Sequence, residues 1–256
     1  MNQRADRVLA RLLDMEKADT SGVEARQKYL ATHGPRFAEI LQLSRRLVPD
    51  SAARVLDIGR SELTARLASH YRDVRSLGFD PRTDDGGHRE ARELDEVPHV
   101  TFDLLNARDV SEWPQCGPFD LIVFSEVIEH LHVAPAYVLA FLGSLLSPQG
   151  VLICTTPNAV SSAKRILMVT GRNPYEQLRF YSHNPGHIRE YTRDELVAVA
   201  AEVGLECKSH SYNNWIRREK GNPIKMAVLQ LLDIYPAFRR FQTFVFARTV
   251  VSGWMG

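Results

Sequence analysis

Apolar positions recur at helical spacing through the first fifty residues. Val8, Leu9, Leu12, Leu13 and Glu16 fall at helical intervals within residues 3–17, mostly apolar on one face. A second helical stretch is predicted from about Val23 to Leu47, with a bend at Gly34-Pro35. Both stretches precede the first strand, so residues 1–50 are predicted to form a helical cap or lid.

From Arg54 the pattern alternates. Strands are predicted at 54–58, 74–79, 99–102, 119–124 and 150–155, and helices at 61–70, 134–146, 158–170 and 192–203. The runs VLDI, LIVF and VLIC are almost unbroken apolar stretches, interrupted only by Asp57, as expected of strands covered on both faces. This alternation predicts an α/β fold with a doubly wound, mostly parallel sheet over residues 51–256. The segment GRNPYEQLRFYSHNPG, residues 171–186, breaks the rhythm and is predicted to be a functional insertion. A helix at 223–233 and a last strand at 241–247 complete the chain's pattern.

Composition narrows the function classes. The 32 basic and 31 acidic residues nearly cancel, so no extended nucleic-acid surface is expected. The three cysteines lack metal or redox spacing, and the N-terminus lacks the apolar core of a signal peptide, which points to the cytoplasm. No run of 18 apolar residues predicts a membrane span.

Ligands of doubly wound sheets bind at the carboxyl ends of the strands, and three acids fall at or near such ends. Asp57 can orient the first turn, Asp80 lies where a carboxylate accepts from ribose hydroxyls, and Asp103 can meet an adenine amino group. Together they predict an adenosine-containing ligand. A nicotinamide cofactor would call for G-x-G-x-x-G at the first turn, and that pattern is absent.

Five segments in order, VLDIGRSELTARLA, LGFDP, FDLIVFSEVIEHL, LLSPQGVLICTTPN and HIREYTRDELVAVAAEVGL, resemble the class I S-adenosylmethionine-dependent methyltransferases. The resemblance runs from about Arg54 to Arg248 and implies a Rossmann-like, seven-stranded sheet. It implies that Asp57, Gly59 and Ser61 frame the methionine end of S-adenosylmethionine. It places Asp80 at ribose, Asp103 and Leu104 beside adenine, and Ser125 beside the cofactor. The first turn departs from the family, which has glycine where this chain has Ser61 and Leu63. Ser61 can cap the helix and leave amides free for the ligand carboxylate, whereas Leu63 either crowds the pocket or packs inward.

The segment SEVIEHLH offers reaction chemistry. On a helix, Glu126, Glu129 and His130 at i, i+3 and i+4 would share a face, with His187 following the insertion. E-x-x-E-H with a later histidine resembles two metal-using O-methyltransferase groups, acting on ubiquinone precursors and on the terminal ribose of small RNAs. That resemblance implies a Mg, Mn, Fe or Zn ion on Glu126, Glu129, His130 and His187. The same residues allow two other readings: His187 as catalytic base without metal, with His130 and Glu129 beside it, or histidines with structural roles only.

Arg36 can meet the methionine carboxylate, with Tyr29 and His33 beside it in the cap, and Tyr175, Phe180, Tyr181 and Tyr191 can line an acceptor pocket. The leading expectation is O-methylation of a small natural-product, quinone-like or sugar hydroxyl. A degenerate cofactor-binding or partner-binding module, an RNA-terminal ribose acceptor and an N-methyl acceptor are the alternatives.

Overall fold

The computed structural model describes residues 23–80, 96–178, 186–215 and 223–249. The predicted helix at 3–17 lies outside these residues, as do Phe180 and Tyr181 of the insertion. The predicted 23–47 stretch is one helix, α1 (Val23–Leu47), which runs through Pro35. Then follow β1 (Arg54–Ile58), α2 (Glu62–Ala68), β2 (Asp73–Gly78), β3 (His99–Thr101), β4 (Phe119–Ser125), α3 (Pro135–Ser144) and β5 (Leu146–Pro157). The remainder is α4 (Ser162–Val169), α5 (Arg193–Glu202), β6 (Leu205–Asn213), α6 (Pro223–Leu232) and β7 (Phe241–Arg248).

These strands form a seven-stranded sheet in the order β3-β2-β1-β4-β5-β7-β6. The first five are parallel, and β7 runs antiparallel between β5 and β6. Alternation along the strands divides the core in two. Val55, Leu121, Val123 and Ile153 pack under α1 and α2 through Phe37, Ile40, Leu63 and Leu67. Leu56, Ile58, Ile122, Phe124 and Leu152 face the other way, toward α3 and α5. Each fully buried Leu or Ile removes enough apolar area to contribute about 1.5–3 kcal/mol. That double coverage is why the central strands read as continuous apolar runs.

Strand β6 was not among the predicted elements. It lies at the sheet edge with one neighbour, and its sequence LECKSHSYN leaves most side chains partly or fully exposed. Strand β5 begins earlier than predicted, because its pairing with β4 is offset between Phe119 and Leu121. Gly150 permits that offset, since a Cβ there would stand 2.6 Å from the Phe119 carbonyl oxygen. No helix among the described residues is long and apolar enough to cross a membrane.

Candidate active site

The strand order reverses direction between β1 and β4, which opens a crevice at their carboxyl ends. The chain leaves β1 through Gly59 at φ 84°, a conformation that costs a side-chain-bearing residue energy. The Gly59 amide donates to the Leu77 carbonyl at 2.8 Å, tying this turn to β2. Ser61 caps α2: its hydroxyl accepts from the Leu63 amide at 3.2 Å, and its carbonyl from the Thr64 amide at 3.0 Å. Those two amides are therefore engaged by the cap, which is the capping role expected of Ser61. Thr64 completes the box by accepting from the Ser61 amide at 2.8 Å and donating to Asp57 Oδ2 at 2.6 Å.

Asp57 thus holds the turn from beneath. Its complete burial pushes the carboxyl up to about 7, although the Thr64 hydrogen bond and the Arg36 charge both pull it down. Leu63 is 2% exposed and packs inward with Phe37 and Leu67, so it does not crowd the crevice.

Asp80 follows β2 and is half-buried, while Asp103 follows β3 and caps a short turn of 3-10 helix, accepting from the Leu105 amide at 2.9 Å. The register places the ends of β3, β2, β1 and β4 side by side, so Asp103, Asp80, Gly59 and Ser125 leave one continuous edge. Leu104 is 5% exposed and its side chain belongs to the core.

The exit of β4 corrects the helical reading of SEVIEHLH. Glu126 stands at φ 54°, outside the right-handed helical region, and only Ile128–His130 form a short 3-10 turn. A left-handed non-glycine residue costs roughly 1–2 kcal/mol and persists only where its surroundings fix it. Here the Glu126 amide donates to the Thr155 carbonyl at 2.9 Å, and Glu126 Oε1 accepts from the Thr155 hydroxyl at 3.0 Å. The buried Arg36 reaches Glu126 Oε2 at 3.6 Å. Arg36 therefore serves Glu126. Tyr29 and His33 lie together within α1, their rings tilted by 40° with centroids 4.5 Å apart.

Glu129 is fully buried, with Oε2 accepting from the Thr156 hydroxyl at 3.0 Å and Oε1 lacking a hydrogen-bond partner. Burial, reinforced by the Glu126 charge, pushes its carboxyl well above the usual range. Burial also raises Glu126, against the pull of Arg36. The Glu129 carbonyl accepts from the amides of Ile188 and Arg189 at 2.7 and 3.2 Å, fastening the segment that carries His187.

His130 Nδ1 lies 2.9 Å from the Gly186 carbonyl, and His187 Nδ1 lies 2.9 Å from Glu190 Oε1. The two imidazoles meet edge to face with centroids 4.9 Å apart, and His130 Nε2 stands 4.0 Å from Glu129 Oε1. One ligand atom from each of Glu129, His130 and His187 lies within 4.8 Å of the others. Glu126 lies outside that group, held by Arg36 and Thr155, so the structure assembles three of the four expected ligands.

Sequence reasoning missed Glu190 and Lys164. Glu190 is 8% exposed, and its second oxygen forms an ion pair with Lys164 of α4. Burial, with Arg240 nearby, pulls Lys164 down to about 8. Glu190 was readable at i+3 from His187 in HIRE, whereas nothing in the local pattern marks Lys164. Of the predicted acceptor-lining aromatics, Tyr175 is exposed, and Tyr191 is instead core, at 4% exposure.

The sequence profile of the methyltransferase domain matches residues 24–210. No curated protein matches the sequence. Among solved structures, the Burkholderia thailandensis 1,6-didemethyltoxoflavin-N1-methyltransferase is similar at 16% identity, with 97% of this chain and 91% of that one covered and a TM-score of 0.55. The N-methyltransferase NodS from Bradyrhizobium japonicum, bound to S-adenosylhomocysteine, is 16% identical over 83% of this chain and 85% of that chain, with a TM-score of 0.50. The mitomycin 7-O-methyltransferase MmcR is 14% identical over 83% of this chain and 54% of that chain, with a TM-score of 0.51. Similarity at these identities speaks to the fold, and it spans both N- and O-methyl transfer. The match over most of the chain, on a sheet whose strand ends form the expected crevice, shows that the chain belongs to the class I S-adenosylmethionine-dependent methyltransferases.

Proposed function

We propose that this enzyme methylates a hydroxyl group of a small-molecule acceptor. The observation that carries the reading is the cluster of Glu129, His130 and His187 beside the exit of β4. An amine acceptor is nucleophilic once neutral, whereas a hydroxyl gains most from a group that takes its proton. S-adenosylmethionine supplies the electrophilic methyl group. Asp57, Gly59 and Ser61 shape its turn, and Asp80 and Asp103 stand at the ribose and adenine positions of the same edge.

His187 is the base in this reading. Its Nε2 accepts the hydroxyl proton as the oxygen–methyl bond forms and the carbon–sulfur bond breaks, leaving a neutral thioether. The fixed crevice holds the acceptor in line, which supplies much of the acceleration.

A second reading has its own support. The buried Glu129 oxygen without a hydrogen-bond partner and two nearby imidazoles form a donor set that fits a divalent cation. When bound, such an ion supplies Lewis-acid chemistry and lowers the pKa of a hydroxyl. Two nitrogens and one oxygen suit Fe or Zn better than Mg. An acceptor with a vicinal diol, whether catechol, sugar or terminal ribose, fits this version.

The test is methyl transfer from labelled S-adenosylmethionine to panels of catechols, sugars and matched amines, with and without chelator. Oxygen-linked product that His187→Ala abolishes supports the proposal. Product on nitrogen alone refutes it. Activity that chelator and His130→Ala leave intact removes the metal.

A further inference from the structure

Behind His187 stands a buried charge pair that the reaction scheme does not use. Glu190 presents one carboxylate oxygen to His187 Nδ1 at 2.9 Å and the other to the Lys164 ammonium. The side chains of Glu190 and Lys164 are only 5% and 15% exposed. Lys164 is further anchored by donating to the Asn158 carbonyl at 3.2 Å, and its ammonium lies 5.8 Å from the centre of the Tyr175 ring. Turning either oxygen of Glu190 away would therefore take the carboxylate from the mostly buried Lys164 ammonium or from the His187 ring.

We infer that Glu190 is a positioning residue that fixes the tautomer of His187, holding the proton on Nδ1 and leaving Nε2 unprotonated toward the reacting site, while Lys164 occupies the other oxygen of Glu190. A carboxylate can only accept, so Nδ1 must donate, and in a neutral imidazole Nε2 then carries the lone pair. Lys164 acts one step further back. It claims one oxygen of Glu190, so that the other is presented to the ring. The inference rests on reading His187 as the proton acceptor, yet it concerns a property of the resting protein.

The geometry makes an unusual demand of Glu190→Gln. The amide has one oxygen, and the Lys164 ammonium can only donate, so it takes that oxygen. The amide NH2 is left facing Nδ1. A donor there requires Nδ1 to accept, which moves the ring proton to Nε2. Replacing Lys164 by Met in the same chain frees the amide to rotate, and its oxygen can again accept from Nδ1.

The experiment is nitrogen-15 NMR of the histidine rings in the full-length chain. It is recorded with S-adenosylhomocysteine and chelator present and assigned through His187→Gln. Wild type and Lys164→Met should show Nδ1 protonated and Nε2 bare. Glu190→Gln should show the reverse, and Glu190→Gln with Lys164→Met should return to the wild-type pattern. Glu190→Ala, which offers no partner, should give a mixture of the two tautomers and serves if Glu190→Gln does not fold. An unchanged pattern in Glu190→Gln or Glu190→Ala, a doubly protonated ring in wild type, or no return in the double variant would overturn the inference. Because no step is turned over, these outcomes are separate from failure of the hydroxyl-methylation reading, which the acceptor panels decide.

Discussion

Replacing Asp57 by Asn tests whether a carboxyl is held neutral under the cofactor turn. Asn mimics the protonated acid, since both offer an oxygen to the Thr64 hydroxyl and carry no charge. In the fold the group titrates near 7, raised from 3.8 by burial. The folded state therefore binds the proton more tightly than the unfolded state between these values. Stability from this group is complete below about pH 4 and is lost as pH rises through about 7.

Between about pH 5 and pH 8, wild type should lose about 3 kcal/mol relative to Asp57→Asn, at 1.36 kcal/mol per pK unit. Urea unfolding of both proteins without cofactor measures this as a change of about 1 M in the difference between their midpoints. Glu126 and Glu129 also titrate upward, but they are present in both proteins and largely cancel in the comparison. A stability difference that does not change with pH would refute the reasoning. It would mean that Arg36 and Thr64 keep Asp57 charged at little cost.

Two further substitutions separate packing from ligand contact. Leu63→Ala should cost about 2–5 kcal/mol in urea unfolding, because Leu63 is 2% exposed in the α1–α2 core. Its folded fraction should bind S-adenosylhomocysteine as wild type does in calorimetry, and a large loss of affinity would put Leu63 in the pocket after all. Arg36→Met should destabilise by about 3–5 kcal/mol by stranding the buried Glu126 charge, and adding Glu126→Gln should recover most of it. An unaltered urea midpoint in the single variant would show that the pair contributes nothing.

The elements legible in the sequence are those whose environment repeats along the chain. VLDI, LIVF and VLIC are apolar at every position but Asp57 because helices cover both faces of β1, β4 and β5, and their parallel order followed. The edge strand β6 carries no such pattern, since its LECKSHSYN pairs with β7 alone and leaves most polar side chains partly or fully in water. The placement of Asp57, Gly59, Asp80, Asp103 and Ser125 at strand ends was readable for a related reason. Topology alone puts consecutive strand ends on one edge, so no side-chain contact had to be known.

What escaped depends on contacts between distant segments. E-x-x-E-H has helical spacing, yet Thr155 and Arg36 hold Glu126 at φ 54° and turn its carboxylate out of the histidine cluster. Leu63 could not be assigned before α1 was placed over its helix. Lys164 sits on a helix remote in sequence from Glu190 and His187, and only the folding of α4 against the end of β5 brings its charge to them. Strand ends therefore locate the crevice. Which oxygen of Glu190 faces His187 depends on a contact one step further away, with Lys164, which periodicity along the chain cannot reveal.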